Sequence, residues 1–504
     1  MGMRSIAGIA GLILVGASFL TAAPVRAADA QAATVESATY LLQRATSGQD
    51  SSSYMMLLAL RQLHDPALAP LFTALTRSDN PGLEVHGFLG MADCAAKPAL
   101  DLAYLATVKD ARLQAEMISA AMDNDLLTLD QAQQAISWPD LDMTVRLLVA
   151  TRLLQKHQFK DLDLLHKAVA SDNLGRQALG ALMLTQLGQP EGPGLLAKIN
   201  QSKDPRRDQV CDMALNVISK FEFAKCAPWA LAVVTDKGTS TRTSLAGLQV
   251  ALRFKVPGAE ALFHREILST TDGAQRIRLA LVALGLSPWM DAAFYQPLTA
   301  SADPLIHQMG LAGAAVAAKQ DIAANVIALV RIQHPLATDW ALHYARQDAP
   351  LPDAVRIFEA VVQNYSGPQR NRAQRLDDVV AATQMMMDRD AAQSAPYLKA
   401  ILAGAPADPL WLQAILLGLM RAKGSAALSA LPDKFGSEDP DVRRLGVLLL
   451  ARHGRPLTAS QLDDLSLLVR GGSDLPDFLR VQAAWIYLKR IDRNQAVLAK
   501  LIGG

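Results

Sequence analysis

The chain has 504 residues, of which 51% are hydrophobic and only 5% aromatic. This balance favours closely packed helices over sheets, nearly excludes an all-β fold, and gives too much apolar content for a disordered chain. The formal net charge is +1, so the sequence lacks the basic excess with which nucleic-acid-binding proteins hold phosphates, and no nucleic acid is expected as a partner.

Residues 1–27 have the pattern of a secretory signal peptide. Arg4 precedes an apolar stretch at residues 6–20, and Val25 and Ala27 occupy the −3 and −1 positions of a cleavage site after Ala27. An uncleaved membrane anchor is the competing interpretation, but the apolar stretch is short for a membrane span. We therefore predict an exported protein, periplasmic rather than extracellular.

Two short segments follow the predicted cleavage site. Residues 28–45 have the apolar spacing of one amphipathic helix, and the Ser-rich residues 46–53 predict a flexible joint. Residues 54–504 contain no apolar run long enough to cross a bilayer, so no transmembrane segment is expected after signal removal. The few, widely spaced cysteines do not form a disulfide scaffold, and we expect free, buried thiols at Cys94, Cys211 and Cys226.

A capped helix start recurs through residues 54–504. Asp303, Asp408 and Asp439 are each followed by Pro and then by a helix of small and aliphatic residues. Asp accepts backbone N–H groups at an N-cap, and Pro at the first helical position loses no needed donor. Such anchors recur about every 33 residues, which leaves room for a second helix in each period. A repeated helix pair of this length is typical of an α-solenoid.

The segment Asp439–Gly446, of sequence DPDVRRLG, resembles the second-helix consensus of HEAT repeats. It is most similar to the short bacterial HEAT-like repeats of the phycobilisome-lyase type, and similar segments cover most of residues 54–491. The resemblance implies an all-α, right-handed α-solenoid of about 13 helix pairs that binds other macromolecules. In such repeats Asp and Arg usually link neighbouring units. A structural role is therefore implied for three pairs: Asp172 and Arg176, Asp272 and Arg276, and Asp439 and Arg443.

The sequence contains none of the local catalytic or metal-binding motifs that we sought. The nine His form no His-Glu-x-x-His motif, and there is no Cys-x-x-Cys, Gly-x-Ser-x-Gly or phosphate-binding loop. We therefore expect no metal, no cofactor and no enzymatic activity. Catalytic groups need only meet in space, so a site assembled from distant repeats stays open as an alternative.

The repeat is least regular at about residues 287–375, where aromatic residues are also concentrated. Aromatic side chains beside Arg are typical of protein-binding hot spots. The predicted partner-binding residues are Trp289, Tyr295, Trp340, Tyr344, Arg370 and Arg372. Ordinary packing at an irregular joint between repeats is the alternative explanation.

These observations predict an exported, non-enzymatic scaffold or adaptor that binds protein partners. An enzyme with its site in the irregular region 287–375 is one alternative. A periplasmic helper in polysaccharide or outer-membrane export is another, and it depends on analogy with other exported helical-repeat proteins.

Overall fold

The computed structural model describes residues 29–95, 100–123, 126–366, 372–404, 408–422, 424–432, 438–472 and 474–503. All regular structure in these ranges is helical, with no strand. No helix of the described chain has the length and apolar content to span a membrane. The predicted signal peptide and its cleavage site at Ala27 lie outside the described residues.

The α-helices, in chain order, are α1 (29–45), α2 (Ser51–Arg61), α3 (Ala69–Leu75), α4 (Pro81–Cys94), α5 (Leu102–Thr107), α6 (Ala111–Asp123), α7 (Leu129–Ser137), α8 (Met143–Gln155), α9 (Leu162–Val169), α10 (Leu174–Leu187), α11 (Gly192–Asn200), α12 (Arg207–Phe221), α13 (Ala227–Thr235), α14 (Thr241–Arg253), α15 (Ala259–Ser269), α16 (Gly273–Gly285), α17 (Gln296–Thr299), α18 (Pro304–Ala318), α19 (Ile322–Arg331), α20 (Pro335–Gln347), α21 (Leu351–Asn364), α22 (Arg372–Ala403), α23 (Pro409–Arg421), α24 (Pro440–Arg452), α25 (Ala459–Arg470), α26 (Asp477–Arg490) and α27 (Asn494–Ile502). Short 3₁₀ turns occur at Pro66–Leu68, Ala224–Cys226, Ala292–Tyr295 and Gly424–Ala430.

The chain divides into two compact units. Unit 1 combines the two ends of the sequence, Met1–Leu100 and Asp433–Gly504, whereas unit 2 is the continuous stretch Asp101–Pro432. This division differs from the predicted one, in which a single solenoid follows residues 28–53. The physical reason is that the N-terminal helices pack against the C-terminal ones.

The helices of unit 2 stack in the manner of a solenoid. The even-numbered helices from α6 to α16 contact one another in sequence order, while α11 and α13 belong to a second row. The prediction of an all-α solenoid is confirmed. The pattern changes within the predicted irregular region, because α17 has only four residues and α16 contacts both α18 and α20.

The predicted Asp caps are present at the starts of α18, α23 and α24. Asp303 Oδ1 accepts hydrogen bonds from the backbone N–H groups of Leu305 at 2.9 Å and Ile306 at 3.1 Å. Asp408 and Asp439 accept equivalent bonds. These bonds satisfy N–H groups that have no partner within the helix, which is why each helix begins there.

A glycine recurs seven residues after the cap where paired helices come close together. A Cβ atom on Gly310 would lie 2.7 Å from the backbone N of Thr299, and one on Gly87 would lie 2.8 Å from the carbonyl O of Phe72. Only glycine allows this approach without separation of the helices. The glycines with this close approach are Gly87, Gly180, Gly247 and Gly310, and Gly446 has the same position in α24.

Arg176 links neighbouring helix pairs, as the resemblance implied, but its partner is Asp142 and not Asp172. Its Nη2 donates to both carboxylate oxygens of Asp142, at 2.9 and 2.8 Å, and Asp142 is the N-cap of α8. Arg443 similarly pairs with Asp464 on α25 at 3.0 Å. Arg176 and Arg443 thus each fasten a helix start to an adjacent helix, whereas the buried Nε of Arg276 has no hydrogen-bond partner in the described chain, and Arg276 does not pair with Asp272.

Unit 1 has helix stacking of the same kind, and its stack includes helices from both ends of the sequence. Its helices contact one another in the order α24, α26, α2 and α4, and α27 packs on α3. Gln482 Nε2 donates to the carbonyl O of Ala59 at 2.7 Å, and the buried hydroxyls of Thr34 and Ser466 lie 2.7 Å apart. The predicted joint at 46–53 is shorter in the structure, because Asp50 caps α2.

The predicted state of the cysteines is confirmed. Cys94, Cys211 and Cys226 are free and buried. Burial raises the pKa of Cys94 and of Cys226 to about 12 and the pKa of Cys211 to about 11. These thiols therefore act as small apolar side chains of the core.

Candidate partner-binding surface

The structure separates the predicted binding residues into exposed and buried ones. Trp289 is 43% exposed and Trp340 is partly exposed, but Tyr295 and Tyr344 are buried. Tyr295 donates its hydroxyl hydrogen bond to the carbonyl O of Ala283 at 2.9 Å and lies against Gly313. Tyr295 and Tyr344 therefore belong to the helix packing and not to a surface, which corrects this part of the prediction.

The side chains of the two predicted arginines, Arg370 and Arg372, are not described by the structure. Arg370 lies outside the described residues, and Arg372 is the first residue of α22, with its side chain outside the described part. The basic part of the predicted patch stays a prediction.

Trp340 is held in place by Tyr344 one helical turn later. The two rings stack with centroids 5.5 Å apart and an interplanar angle of 12°. Burial, with smaller contributions from Asp348 and Asp353, raises the pKa of Tyr344 to about 12, so its ring stays neutral and packed. This support fixes the side chain of Trp340 before any partner arrives.

Trp340 belongs to a group of large apolar side chains that remain in contact with solvent. Leu336 lies one turn earlier on α20 and is 53% exposed, and Ile332, at the C-cap of α19, is 40% exposed. We call Ile332, Leu336 and Trp340 the α20 patch. Asp339 lies within it, and desolvation raises the pKa of its carboxyl group. Clustered apolar side chains at a surface mark binding sites more often than isolated ones.

Trp289 belongs to a different arrangement, at the C-terminal ends of α14 and α16. The guanidinium carbon of Arg253 lies 4.6 Å from the centroid of the Trp289 ring. Arg253 is itself fixed, because its Nη1 donates to the carbonyl O of Ser219 at 2.7 Å and its Nη2 donates to Glu222 at 3.1 Å. A cation above the ring and a fixed partner for that cation hold the indole in one orientation.

A cleft of about 480 Å³ in unit 1 is lined by several cations. Arg452 donates to the carbonyl O of Gln62 at 2.7 Å, and Arg490 donates to that of Arg455 at 2.7 Å. The helices α2, α24 and α26 all end at this cleft, and their C-terminal carbonyl groups carry partial negative charge. The cations balance those helix ends, so the cleft is explained by capping.

Asp65 stabilises the same part of unit 1. Burial alone would raise its pKa, but hydrogen bonds from Lys489 Nζ at 2.8 Å and Trp485 Nε1 at 2.7 Å outweigh that effect and lower it. The carboxylate of Asp65 therefore binds two side chains of α26, Trp485 and Lys489, which lie one helical turn apart.

Within the described ranges, no group of three or more His, Cys, Asp or Glu side chains is placed to hold a metal ion. Ile332 and Leu336 were not among the predicted binding residues. Leu336 and Trp340 are four residues apart on α20, but apolar residues at that spacing more often form the buried face of a helix, and Ile332 belongs to the turn before α20.

Comparison with family models and with curated proteins finds no match. Among solved structures, a crystal structure of a Kap121p mutant is similar over 93% of this chain, at 13% identity and a TM-score of 0.30. A crystal structure of Kap121p bound to Pho4p also covers 93% of the chain, at 15% identity and a TM-score of 0.28. The chain spans about half of each of those chains, 52% in both cases.

Proposed function

We propose that the protein is an exported, non-enzymatic α-solenoid scaffold that binds a protein partner through the α20 patch. The observation that carries the proposal is that Ile332 and Leu336 are exposed and Trp340 is partly exposed, within nine consecutive residues of a folded chain. Burial of such side chains against a partner removes apolar surface from water, which drives most protein association. The proposed export depends on the pattern of residues 1–27.

The geometry of the patch supports binding of a folded or helical protein surface. Trp340 is held by Tyr344, so little rotational freedom is lost when a partner covers it. Tryptophan is also the residue type most enriched in interface hot spots, and Leu336 supplies adjacent apolar area. Repeated helix pairs give such a patch a rigid support.

Site-specific cross-linking tests the proposal directly. A photoreactive amino acid replaces Leu336 in natively expressed protein, and captured proteins are identified by mass spectrometry. The matched control places it at Leu268 on α15, which is 71% exposed. We expect one reproducible partner from position 336 that is not captured from position 268.

A substitution completes the test. Leu336→Asp puts a charge in the patch. With the photoreactive amino acid at position 340, this variant is expected to capture the partner at least tenfold less than the wild type does, whereas Leu268→Asp should capture it equally. Both variants should keep the helical circular dichroism of the wild type. Equal capture by the wild type and Leu336→Asp, or no captured partner from position 336, would refute a role for this patch.

A further inference from the structure

A small cavity near Trp289 is not used by the proposed scaffold function. It has a volume of about 280 Å³ and lies between the segment that follows α14 and the segment that follows α16. Its buried, apolar lining includes Val256, Met290 and Phe294. Its exposed, polar lining consists of Lys255, Glu260 and Asp291. The cavity thus offers an apolar floor with hydrogen-bonding groups around it.

The backbone around this cavity is fixed by local hydrogen bonds. The N–H of Val256 donates to the carbonyl O of Ala251 at 2.9 Å, and the N–H of Phe294 donates to that of Asp291 at 3.0 Å. Gly258 has a φ of +88°, and no atom lies within 4 Å of the position that a Cβ would take there. The turn therefore leaves open space beside the cavity, and its shape exists before a ligand binds.

The polar side chains around the cavity are available to a ligand. Within the described chain, Lys255, Glu260 and Asp291 form no ion pair and no side-chain hydrogen bond. Asp291 precedes a 3₁₀ turn but does not cap it with its side chain. One ammonium donor and two carboxylate acceptors thus surround a space of a few hundred cubic ångströms, the low end of the range for small-molecule sites.

An exposed aromatic side chain, that of Trp289, is adjacent in sequence to the cavity lining, although Trp289 does not itself line the cavity. Trp289 immediately precedes Met290 of the cavity floor, and it is 43% exposed although Arg253 lies over its ring. Leu252, just before Arg253, also lines the cavity. The same two chain segments therefore carry both the fixed indole and the polar groups.

We infer that Trp289 and this cavity form a binding site for a neutral saccharide unit. A sugar ring has a face of C–H groups, which packs on an indole, and an edge of hydroxyl groups, which both donate and accept hydrogen bonds. Glu260 and Asp291 accept from hydroxyl groups, and Lys255 donates to them. An anion is disfavoured by the two carboxylates of the lining, and Lys255 offsets part of their attraction for a cation, so a ligand without charge fits the mixed lining.

Ligand-observed NMR of the full chain after removal of residues 1–27 tests the inference. The probes are glucose, galactose, N-acetylglucosamine, maltose and cellobiose, with inorganic phosphate and tetramethylammonium as charged probes. We expect saturable binding of at least one saccharide and none of the charged probes. Saturable binding of a charged probe alone, or of no probe, overturns the inference.

Substitutions assign the binding to this cavity. Trp289→Ala and Asp291→Ala should each weaken the saccharide affinity about tenfold or more, the loss expected for one hydrogen bond to a charged group or one stacked ring. Asp163→Ala, at an exposed carboxylate on α9, is the matched control and should bind as the wild type does. Wild-type affinity in both Trp289→Ala and Asp291→Ala would refute the site.

Two further variants separate this inference from the proposed function. Leu336→Asp should leave saccharide binding unchanged, and Trp289→Ala should leave protein capture from position 336 unchanged. Because the side chain of Asp291 makes no hydrogen bond within the described protein, Asp291→Asn should keep the fold. Its saccharide affinity, which we expect to be lower than that of the wild type, provides a second measure if Trp289→Ala lowers the melting temperature. A loss of saccharide binding in Leu336→Asp would contradict the independence of the two sites.

Discussion

Units 1 and 2 use the same packing between helices but differ in which parts of the chain they bring together. In unit 2, Arg176 reaches Asp142, 34 residues earlier, whereas in unit 1 Thr34 contacts Ser466, 432 residues later. Lengthening a closed loop from about 33 to about 430 residues is nearly four doublings and costs only about 2 kcal/mol of chain entropy. A few good contacts offset that cost, so a solenoid interface does not need neighbours in sequence.

The largest expected difference between the units comes from their buried tryptophans. Trp485 is buried in α26 and donates to Asp65 on the N-terminal side of unit 1, whereas Trp229 in α13 donates to Leu196 O, 33 residues earlier. We expect Trp485→Ala to cost about 3–5 kcal/mol and to raise hydrogen exchange in both α2 and α26. Trp229→Ala should raise exchange only around α11–α13. Unchanged protection of α2 in Trp485→Ala would show that the chain ends are held by other contacts.

The recurring glycines should respond alike in the two units. Gly87→Ala in unit 1 and Gly310→Ala in unit 2 each force a Cβ against the backbone of the preceding helix. We expect each to lower the free energy of unfolding by about 1–3 kcal/mol, measured by urea denaturation. Gly194→Ala, where the new Cβ has open space, is the control. A neutral effect of Gly310→Ala would mean that the paired helices separate freely.

Acid should destabilise unit 1 through His86. Burial, aided by the charge of Arg61, lowers the pKa of His86 to about 4, and its Nδ1 has no hydrogen-bond partner in the described chain. Because the folded pKa is below the unfolded value of about 6.5, this stability is present above pH 6.5 and is lost as the pH falls towards 4. We expect a loss of roughly 2–3 kcal/mol over this range.

The measurement is urea denaturation between pH 7 and 4.5 in the wild type and in His86→Phe. The variant should show a smaller pH dependence, whereas His343→Phe, at an exposed position on α20 of unit 2, should follow the wild type. An identical pH profile in the wild type and His86→Phe would remove His86 as the cause.

The smallest expected effect on stability comes from neutralising one acidic group in each unit. Asp65→Asn removes the charge that pairs with Lys489, and Asp142→Asn removes the charge that pairs with Arg176. Each should cost about 1 kcal/mol at pH 7, measured by urea denaturation. The pKa of Asp65 is lowered in the folded state, so the difference between the wild type and Asp65→Asn should disappear as the pH falls below about 4. A difference that persists at lower pH would exclude the charge as its source.

The helix starts of the repeat were predictable because capping is local. Each helix start is indicated by its own N-cap residue, namely Asp303, Asp408 or Asp439, and the small residues that follow indicate close packing. The closure of unit 1 was not predictable in this way. Residues 28–45 have the apolar face of any solenoid helix, and that face does not reveal whether it will meet a neighbour in sequence or α25 and α26.

The candidate sites show the same limit. An aromatic residue beside an irregular turn can be buried, as Tyr295 is, or exposed, as Trp289 is, and the difference lies in the contacts of residues far along the chain. Arg253, which supports Trp289, lies 36 residues before it in the sequence. The carbonyl group of Ser219, to which Arg253 donates a hydrogen bond, lies 34 residues before Arg253. A local sequence pattern contains neither distance.

The joining of both chain ends in unit 1 has a consequence for a protein that meets proteases. A single cut in a loop of unit 2 leaves one fragment with α1–α4 and another with α24–α27, and these two groups of helices still contact each other. The nicked protein should therefore stay together as a non-covalent pair of fragments. For the same reason, α1 and α27, which line one groove of unit 1, should stay together in the nicked protein.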